Sequence, residues 1–275
     1  MATVAQLLAS GADLPGDSAR RDSEILLGHC LARPRSWLYA WPEEEVADEH
    51  EASFFALLEL RRAGRPVAYL TGQREFWSLR LAVTSATLIP RPETETLVAW
   101  ALQLSLPAAA DAVDLGTGSG AIALALASER PQWRITGVDS SEDALQVARC
   151  NARDNGLQAV DFRRSDWFAA LDDDRFDLVV SNPPYIDGDD PHLQRGDLRF
   201  EPRDALVAGR GGMADLAVII ARASAHLRPG GWLLTEHGFE QAAAVRELYE
   251  QAGFSAVATR SDLAGQERVT GGRLC

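Results

Sequence analysis

Apolar positions change period along the chain. From about Val4 to Ala63 they recur at helical spacing. Ile25, Leu26 and Leu27 lie in a segment that Asp17-Ser18 can cap and that runs through Leu31. After Pro34, a second segment from about Glu43 to Ala63 carries Phe54, Phe55, Leu57, Leu58 and Leu60, and Gly64 can stop it. This predicts a small helical bundle with no chemistry of its own. Glu75 to Val83 then alternates polar and apolar residues, with aromatics, as a hairpin does. Ile89-Pro90-Arg91-Pro92 reads as a stiff extended turn, and Thr94 to Leu106 returns to helical spacing.

Beyond Ala110, short apolar runs alternate with helical segments. Expected strands are 112–115, 133–138, 160–162, 176–180, 232–234, 255–259 and 268–270; expected helices are 121–128, 141–155, 213–227 and 239–251. Repeated β-α units imply a mostly parallel sheet with helices on both faces. Ligands of such sheets bind beyond the carboxyl ends of the strands. Three marked turns fall there: Gly116-Thr117-Gly118-Ser119-Gly120, Asp139, and Ser181-Asn182-Pro183-Pro184-Tyr185.

Composition narrows the class. The 275 residues are 46% hydrophobic and 24% charged, enough for a sizeable core in one or two domains. No run approaches the length of a membrane span, and the opening MATVAQLLASGADLPGD lacks a basic segment, so no signal peptide is expected. Three dispersed cysteines fit a reducing cytoplasm, and the scattered histidines suggest no metal site. A net charge of −13 argues against a protein that coats nucleic acid, and the cluster Arg61, Arg62 and Arg65 reads as a solvated helix end.

The glycine turn lets backbone approach a ligand before a helix begins. Gly116, Gly118 and Ala121 fit a dinucleotide fingerprint, and Asp139 stands where a carboxylate accepts two ribose hydroxyls. That supports an adenosine-containing ligand without choosing NAD or S-adenosylmethionine. Asp166 could face an adenine amine and Trp167 pack on its ring; equally, Trp167 could be a core residue. The strand-ending Asn182 to Tyr185 segment favours a methyl donor. The prolines hold Asn182 and Pro183 extended and contribute no N–H, so the segment offers mainly acceptors beside a flat ring. Such a set can hold a planar –NH2 group by Asn182 Oδ1 and the Pro183 carbonyl. An amide nitrogen is a poor nucleophile, and acceptors on its hydrogens stabilise charge developing on it. A plain Pro-Pro turn is the bland alternative.

Several stretches together resemble the protein-(glutamine-N5) methyltransferases that modify peptide chain release factors. They are P-V-A-Y-L-T-G (66–72), L-I-P-R-P-E-T-E (88–95), D-L-G-T-G-S-G-A-I-A-L-A-L-A (114–127), S-D-W-F (165–168), V-S-N-P-P-Y-I (180–186), F-E-P (200–202) and E-H-G (236–238). The resemblance implies a seven-stranded Rossmann-like S-adenosylmethionine-dependent methyltransferase sheet with a small N-terminal helical domain, joined by a β-hairpin. The expected division is 1–73 helical and substrate-docking, 74–91 hairpin linker, and 92–275 catalytic. Expected cofactor contacts come from Gly116, Thr117, Gly118, Ser119, Gly120, Asp139, Asp166, Trp167 and Asn182. Glutamine contacts come from Asn182, Pro183, Pro184 and Tyr185, with Asn182, Pro183 and Tyr185 catalytic. The implied partners are class I release factors, through the glutamine of a Gly-Gly-Gln loop. Ser85, where proline is common, and Thr235, where leucine is common, depart from the pattern at no carried-over contact.

Remaining expectations are local. The long 187–212 loop, with Arg195, Arg199 and Arg203, is read as facing substrate. Arg91 and Glu95 are candidates to line the site, and Glu236 and His237 are read as structural. The rivals are a nucleic-acid amino-methyltransferase acting on adenine N6 and a non-catalytic module that binds translation factors.

Overall fold

The computed structural model describes residues 1–16 and 18–275, in two compact units. One comprises Met1–Gln73 with Gln194–Phe200; the other, Arg74–Leu193 with Glu201–Cys275. Among the described residues no helix is long and apolar enough to cross a membrane.

The first unit contains α1 (Val4–Ala9), α2 (Ala19–Cys30), α3 (Arg35–Ala40), α4 (Asp48–Arg62) and α5 (Val67–Thr71). Leu7, Leu26, Leu27, Leu38, Phe54 and Leu58 close its core. Thr3 caps α1 in a reciprocal capping box with Gln6. Of the cap expected for α2, Asp17 lies outside the described residues, and Ser18 makes no side-chain cap bond. Helix α4 starts at Asp48 rather than near Glu43. The preceding backbone is occupied elsewhere: Val4 N–H donates to Glu44 O, Ala5 N–H to Pro42 O, and Val46 N–H to Ala2 O. Arg61 is not a solvated helix end. It is 12% exposed, and its guanidinium binds Asp22 at 2.8 Å and Asp197 at 3.2 Å.

The second unit begins at Arg74, within a hairpin of β1 (Gln73–Phe76) and β2 (Leu79–Ala82). Trp77 and Ser78 both take positive φ, the geometry that lets a two-residue turn match strand twist. Then follow α6 (Glu95–Gln103), β3 (Asp111–Leu115), α7 (Ala121–Glu129), β4 (Arg134–Asp139), α8 (Glu142–Asp154), β5 (Asp161–Arg164) and β6 (Phe176–Ser181). Next come the short strands β7 (Ile186–Asp187) and β8 (Val207–Ala208), and the distorted turn α9 (Gly209–Gly212). The chain closes with α10 (Ala214–Ala223), β9 (Leu227–Glu236), α11 (Ala242–Gln251), β10 (Ser255–Ser261) and β11 (Glu267–Arg273). The central sheet has order β10-β11-β9-β6-β3-β4-β5. Strands β9, β6, β3, β4 and β5 run parallel, while β11 is antiparallel to both β9 and β10.

Successive strand residues feed opposite faces, as the pleat requires. Ala112, Ile135, Leu178, Val180 and Leu234 pack on one side with residues of α6, α7 and α8. Val113, Leu115, Val138, Val179 and Leu233 pack on the other with residues of α10 and α11. Apolar spacing predicts a helix over 213–227 and a strand from Trp232. Instead the helix ends at Ala223 and β9 starts at Leu227, pairing with β6 through Phe176↔Leu227 and, after a bulge, Leu178↔Trp232. The 187–212 stretch is not one loop: β7 and β8 pair in parallel, and residues 194–200 belong to the first unit. There Arg199 donates to Ala63 O at 3.0 Å.

Candidate active site

Sheet register brings the marked turns to one edge. Leu115, the last residue of β3, pairs with Val138 of β4 and with Ser181 of β6, and Ser181 pairs with Thr235 of β9. The residues that follow these positions therefore emerge side by side: the glycine turn, Asp139, Asn182 and Glu236.

Gly116, Gly118 and Gly120 all have positive φ. A Cβ on Gly118 would meet nothing within 4 Å, so the turn presents an open backbone face there. A Cβ on Gly116 would come 3.3 Å from the Trp167 ring, which places the indole over that glycine. The Asp139 carboxylate braces the turn: Oδ2 accepts from Gly118 N–H and Oδ1 from Ser141 N–H, each at 2.9 Å. Beneath it, Asp114 Oδ2 accepts from Thr117 Oγ1 at 2.6 Å and Ala123 N–H at 3.2 Å. Asp114 Oδ1 is buried without a partner, and burial pushes this carboxyl up to about 7. Asn151, also buried, donates to Ser119 O at 2.8 Å and fastens the turn from α8. Asp114 and Asn151 were not singled out from sequence. The acid that ends a strand just before a glycine turn was the available signal for Asp114; Asn151 carried none.

Trp167 adopts a positive φ, and its carbonyl accepts from the Ser165 hydroxyl at 2.8 Å. Its side chain lies beside Asp215, whose carboxyl is raised by burial. Asp166 is exposed.

Ser181 Oγ donates to Leu115 O at 2.7 Å, tying β6 to β3 just before the proline pair. Asn182 Nδ2 donates to Thr94 Oγ1 at 3.1 Å. Pro183 is buried, whereas Asn182, Pro184 and Tyr185 are half-buried. Tyr185 Oη donates to Glu236 Oε1 at 3.3 Å, and burial raises the phenol. The Tyr185 carbonyl accepts from Gln241 Nε2 at 3.0 Å and lies where a Cβ on Gly212 would come within 2.1 Å. Thus α11 and the glycine turn before α10 set the backbone of the Asn182–Tyr185 segment.

Arg91 and Glu95 serve as braces. Arg91 pairs with Glu201, which also accepts from Ile89 N–H at 3.0 Å; Glu95 accepts from Trp77 N–H at 3.0 Å. Arg203 donates to Gly188 O at 3.3 Å, and Arg195 is exposed. His237 is buried, with Nδ1 at 2.9 Å from Gly238 O and Nε2 at 2.8 Å from the Thr270 hydroxyl; burial lowers it. Thr235 uses its hydroxyl against Tyr249 Oη at 3.0 Å.

The family pattern described as "Methyltransferase small domain" matches residues 94–197, and "PrmC N-terminal domain" matches residues 4–72. A protein of Aliivibrio fischeri named release factor glutamine methyltransferase is 52% identical over 258 residues, 94% of this chain and 91% of that protein. A Pseudomonas aeruginosa protein of the same name is 50% identical over 273 residues, 99% of each chain. The chain belongs to the release factor glutamine methyltransferase family.

A solved methyltransferase of Pyrococcus furiosus shares the fold at a TM-score of 0.55 and 17% identity, covering 80% of this chain and 96% of that one. Membership of this family makes the chain a methyltransferase and disfavours the nucleic-acid reading. The residues present also fit a cofactor of the S-adenosylmethionine type. The open face at Gly118, the Asp139 carboxylate and the Trp167 ring lie at one strand-end edge, and a buried Asp114 oxygen lacks a partner beneath them.

Proposed function

We propose that the protein methylates the side-chain amide nitrogen of the glutamine in the Gly-Gly-Gln loop of class I release factors, with S-adenosylmethionine as donor. The cofactor, when bound, supplies an electrophilic sulfonium methyl group. The protein's part is to hold the nucleophile. The observation that carries this reading is the Asn182–Thr94 bond. A side-chain amide has one donor end and one acceptor end, and Thr94 takes the donor end. Asn182 therefore offers its Oδ1, and the next carbonyl, on Pro183, belongs to a residue with no N–H. Two acceptors meet the two hydrogens of a primary amide. They orient its nitrogen and become stronger partners as that nitrogen gains positive charge. Tyr185, held by Glu236 and Gln241, places a ring beside the amide plane.

For the cofactor, the backbone of Gly116, Thr117, Gly118, Ser119 and Gly120, with Asp139 and Trp167, would form the cradle. Each Asp139 oxygen has one backbone partner and retains acceptor capacity for a ribose hydroxyl. Asp166 is assigned to the adenine side and Pro184 to the glutamine side of the same edge. The helical unit, residues 1–73, is assigned to docking the release factor, a role that places the enzyme in the cytoplasm. The net charge of −13 supports recognition of protein rather than phosphate backbone.

The test is single-turnover methylation of intact release factor at saturating cofactor and substrate, read by mass spectrometry. Asn182→Ala removes the acceptor and should slow the step by roughly 10²–10³, the scale for losing one preorganised polar partner. A near wild-type rate would reduce the segment to a strand-ending turn.

A further inference from the structure

We infer that Glu236 is a positioning residue: it fixes the orientation of Asn182 through Thr94, and that of Tyr185 directly. The inference rests on the reading of Asn182 above. Glu236 ends β9, 54 residues beyond Asn182 in sequence, and is 1% exposed. Its Oε1 accepts from Tyr185 Oη at 3.3 Å. The Thr94 hydroxyl faces the same carboxyl, whose Oε2 is buried without a partner in hydrogen-bond geometry.

The number of hydrogens available sets the direction of these bonds. Thr94 Oγ1 already accepts from Asn182 Nδ2, and a hydroxyl has a single hydrogen to give. An ionised carboxylate can only accept, and the unpartnered Glu236 Oε2 is the open acceptor for that hydrogen. The chain then runs one way: Asn182 N–H to Thr94, Thr94 O–H to Glu236. Flipping the Asn182 amide would place its Oδ1 against Thr94 Oγ1. The Thr94 hydrogen would then have to turn back toward Asn182, leaving a buried carboxylate with Tyr185 alone. The flip is therefore penalised for as long as Glu236 is ionised. Protonated Glu236 can itself donate to Thr94, and both amide orientations become acceptable. Thr94 explains part of the L-I-P-R-P-E-T-E stretch: it is the joint between the two strand ends.

Several groups face this carboxyl. Tyr185 follows β6; Thr94 and Glu93 lie in the 3-10 turn before α6; Arg268 comes from β11, whose Val269 pairs with Glu236. Arg268 is itself bound to Asp262 at 3.1 Å, and Arg91 acts on Tyr185. The neighbouring His237 is held by Gly238 and Thr270. Burial raises Glu236 to about 7; Thr94, Tyr185 and Arg268 oppose the rise and Glu93 adds to it. The ionised, orienting form thus gains population as pH rises through neutrality.

The experiment is single-turnover methylation of release factor by the full chain, from about pH 5.5 to 8.5, for wild type, Glu236→Gln, Thr94→Val and Thr94→Ser. Each is also made in the Asn182→Ala background, with cofactor affinity measured by calorimetry. The wild-type rate should rise with pH through an apparent pKa near 7. Glu236→Gln should be slower by roughly tenfold or more at high pH and lose that rise, the scale on which members of one hydrogen-bond network couple. Thr94→Val should lose a similar factor and Thr94→Ser recover most of it, with cofactor affinity unchanged. Combined with Asn182→Ala, Glu236→Gln should cost less than about threefold further, because its main route of action is gone. A Glu236→Gln rate within about twofold of wild type, or full additivity with Asn182→Ala, overturns the inference. If Glu236→Gln does not fold, the Thr94 pair decides alone. A fast Asn182→Ala enzyme instead sinks the reading of Asn182; slow Asn182→Ala with fast Glu236→Gln sinks only the role of Glu236.

Discussion

Asp139 was expected to hold a ribose, and the structure gives it a second task. Its two oxygens each accept a backbone N–H, from Gly118 and from Ser141, so the carboxylate ties the glycine turn to the start of α8. Asp139→Ala removes both ties. Hydrogen bonds to a charged group contribute about 1.5–3 kcal/mol each when buried. Asp139 is half-buried, and water can replace part of what is lost, so about 2 kcal/mol for the pair is the working figure. For a unit of this size that lowers Tm by roughly 4–8 °C. Loss of the charged acceptor for ribose should separately weaken S-adenosylmethionine binding by about 1.5–3 kcal/mol, or roughly 10–150-fold in Kd. Asp139→Asn is the control. It keeps one acceptor but turns an –NH2 toward either Gly118 N–H or Ser141 N–H, so both losses should persist in reduced form. Differential scanning calorimetry and cofactor titration calorimetry read the two effects independently. An unchanged Kd for a folded Asp139→Ala protein would remove Asp139 from the cofactor site. An unchanged Tm would show that the two backbone bonds contribute nothing net.

Other predictions follow from groups whose surroundings leave little freedom. Gly212→Ala places a Cβ 2.1 Å from the Tyr185 carbonyl at a φ of +81°, so Tyr185 must move; release-factor methylation should fall about tenfold or more while cofactor affinity holds, and an unaffected rate would show the Tyr185 backbone to be unimportant. Asp114 is raised by burial to about 7, so its contribution favours folding most below the ordinary aspartate range and fades as pH climbs through 7. Asp114→Asn keeps an acceptor for Thr117 and Ala123 and cannot ionise; its Tm should therefore exceed that of wild type above pH 7 and lose this advantage near pH 4, and a constant Tm difference across that range would refute the assignment. In the helical unit Trp41 remains 56% exposed; if this unit docks release factor, Trp41→Ala should raise KM by roughly 3–30-fold, the scale of a modest interface contact, with kcat unchanged, and an unaltered KM would take Trp41 out of the docking face.

Sequence alone determined the elements and the edge at which chemistry occurs. Short apolar runs such as 112–115 and 176–180 have to be buried strands, and Gly116–Gly120 or Pro183-Pro184 have to end them, because local sterics and burial decide both. A parallel sheet then sends all such ends to one side. What period and propensity cannot state is which distant backbone competes for a segment. A helix is expected from about Glu43, yet residues 42–46 pair with the first five residues; Leu227 reads as a helix end and 228–231 as a connection, yet all lie in β9, which pairs with β6 at Leu227 and again from Trp232. The same holds within the site. Asn182, Thr94 and Glu236 are separated by 88 and 54 positions, and nothing in their own neighbourhoods announces a common network. Their meeting depends on β6 lying between β3 and β9 and on the turn before α6 reaching the same edge, an order that only the packed sheet settles. A buried carboxyl at a strand end therefore reads as structural in sequence, and acquires a direction of hydrogen bonding only when its partners are in place.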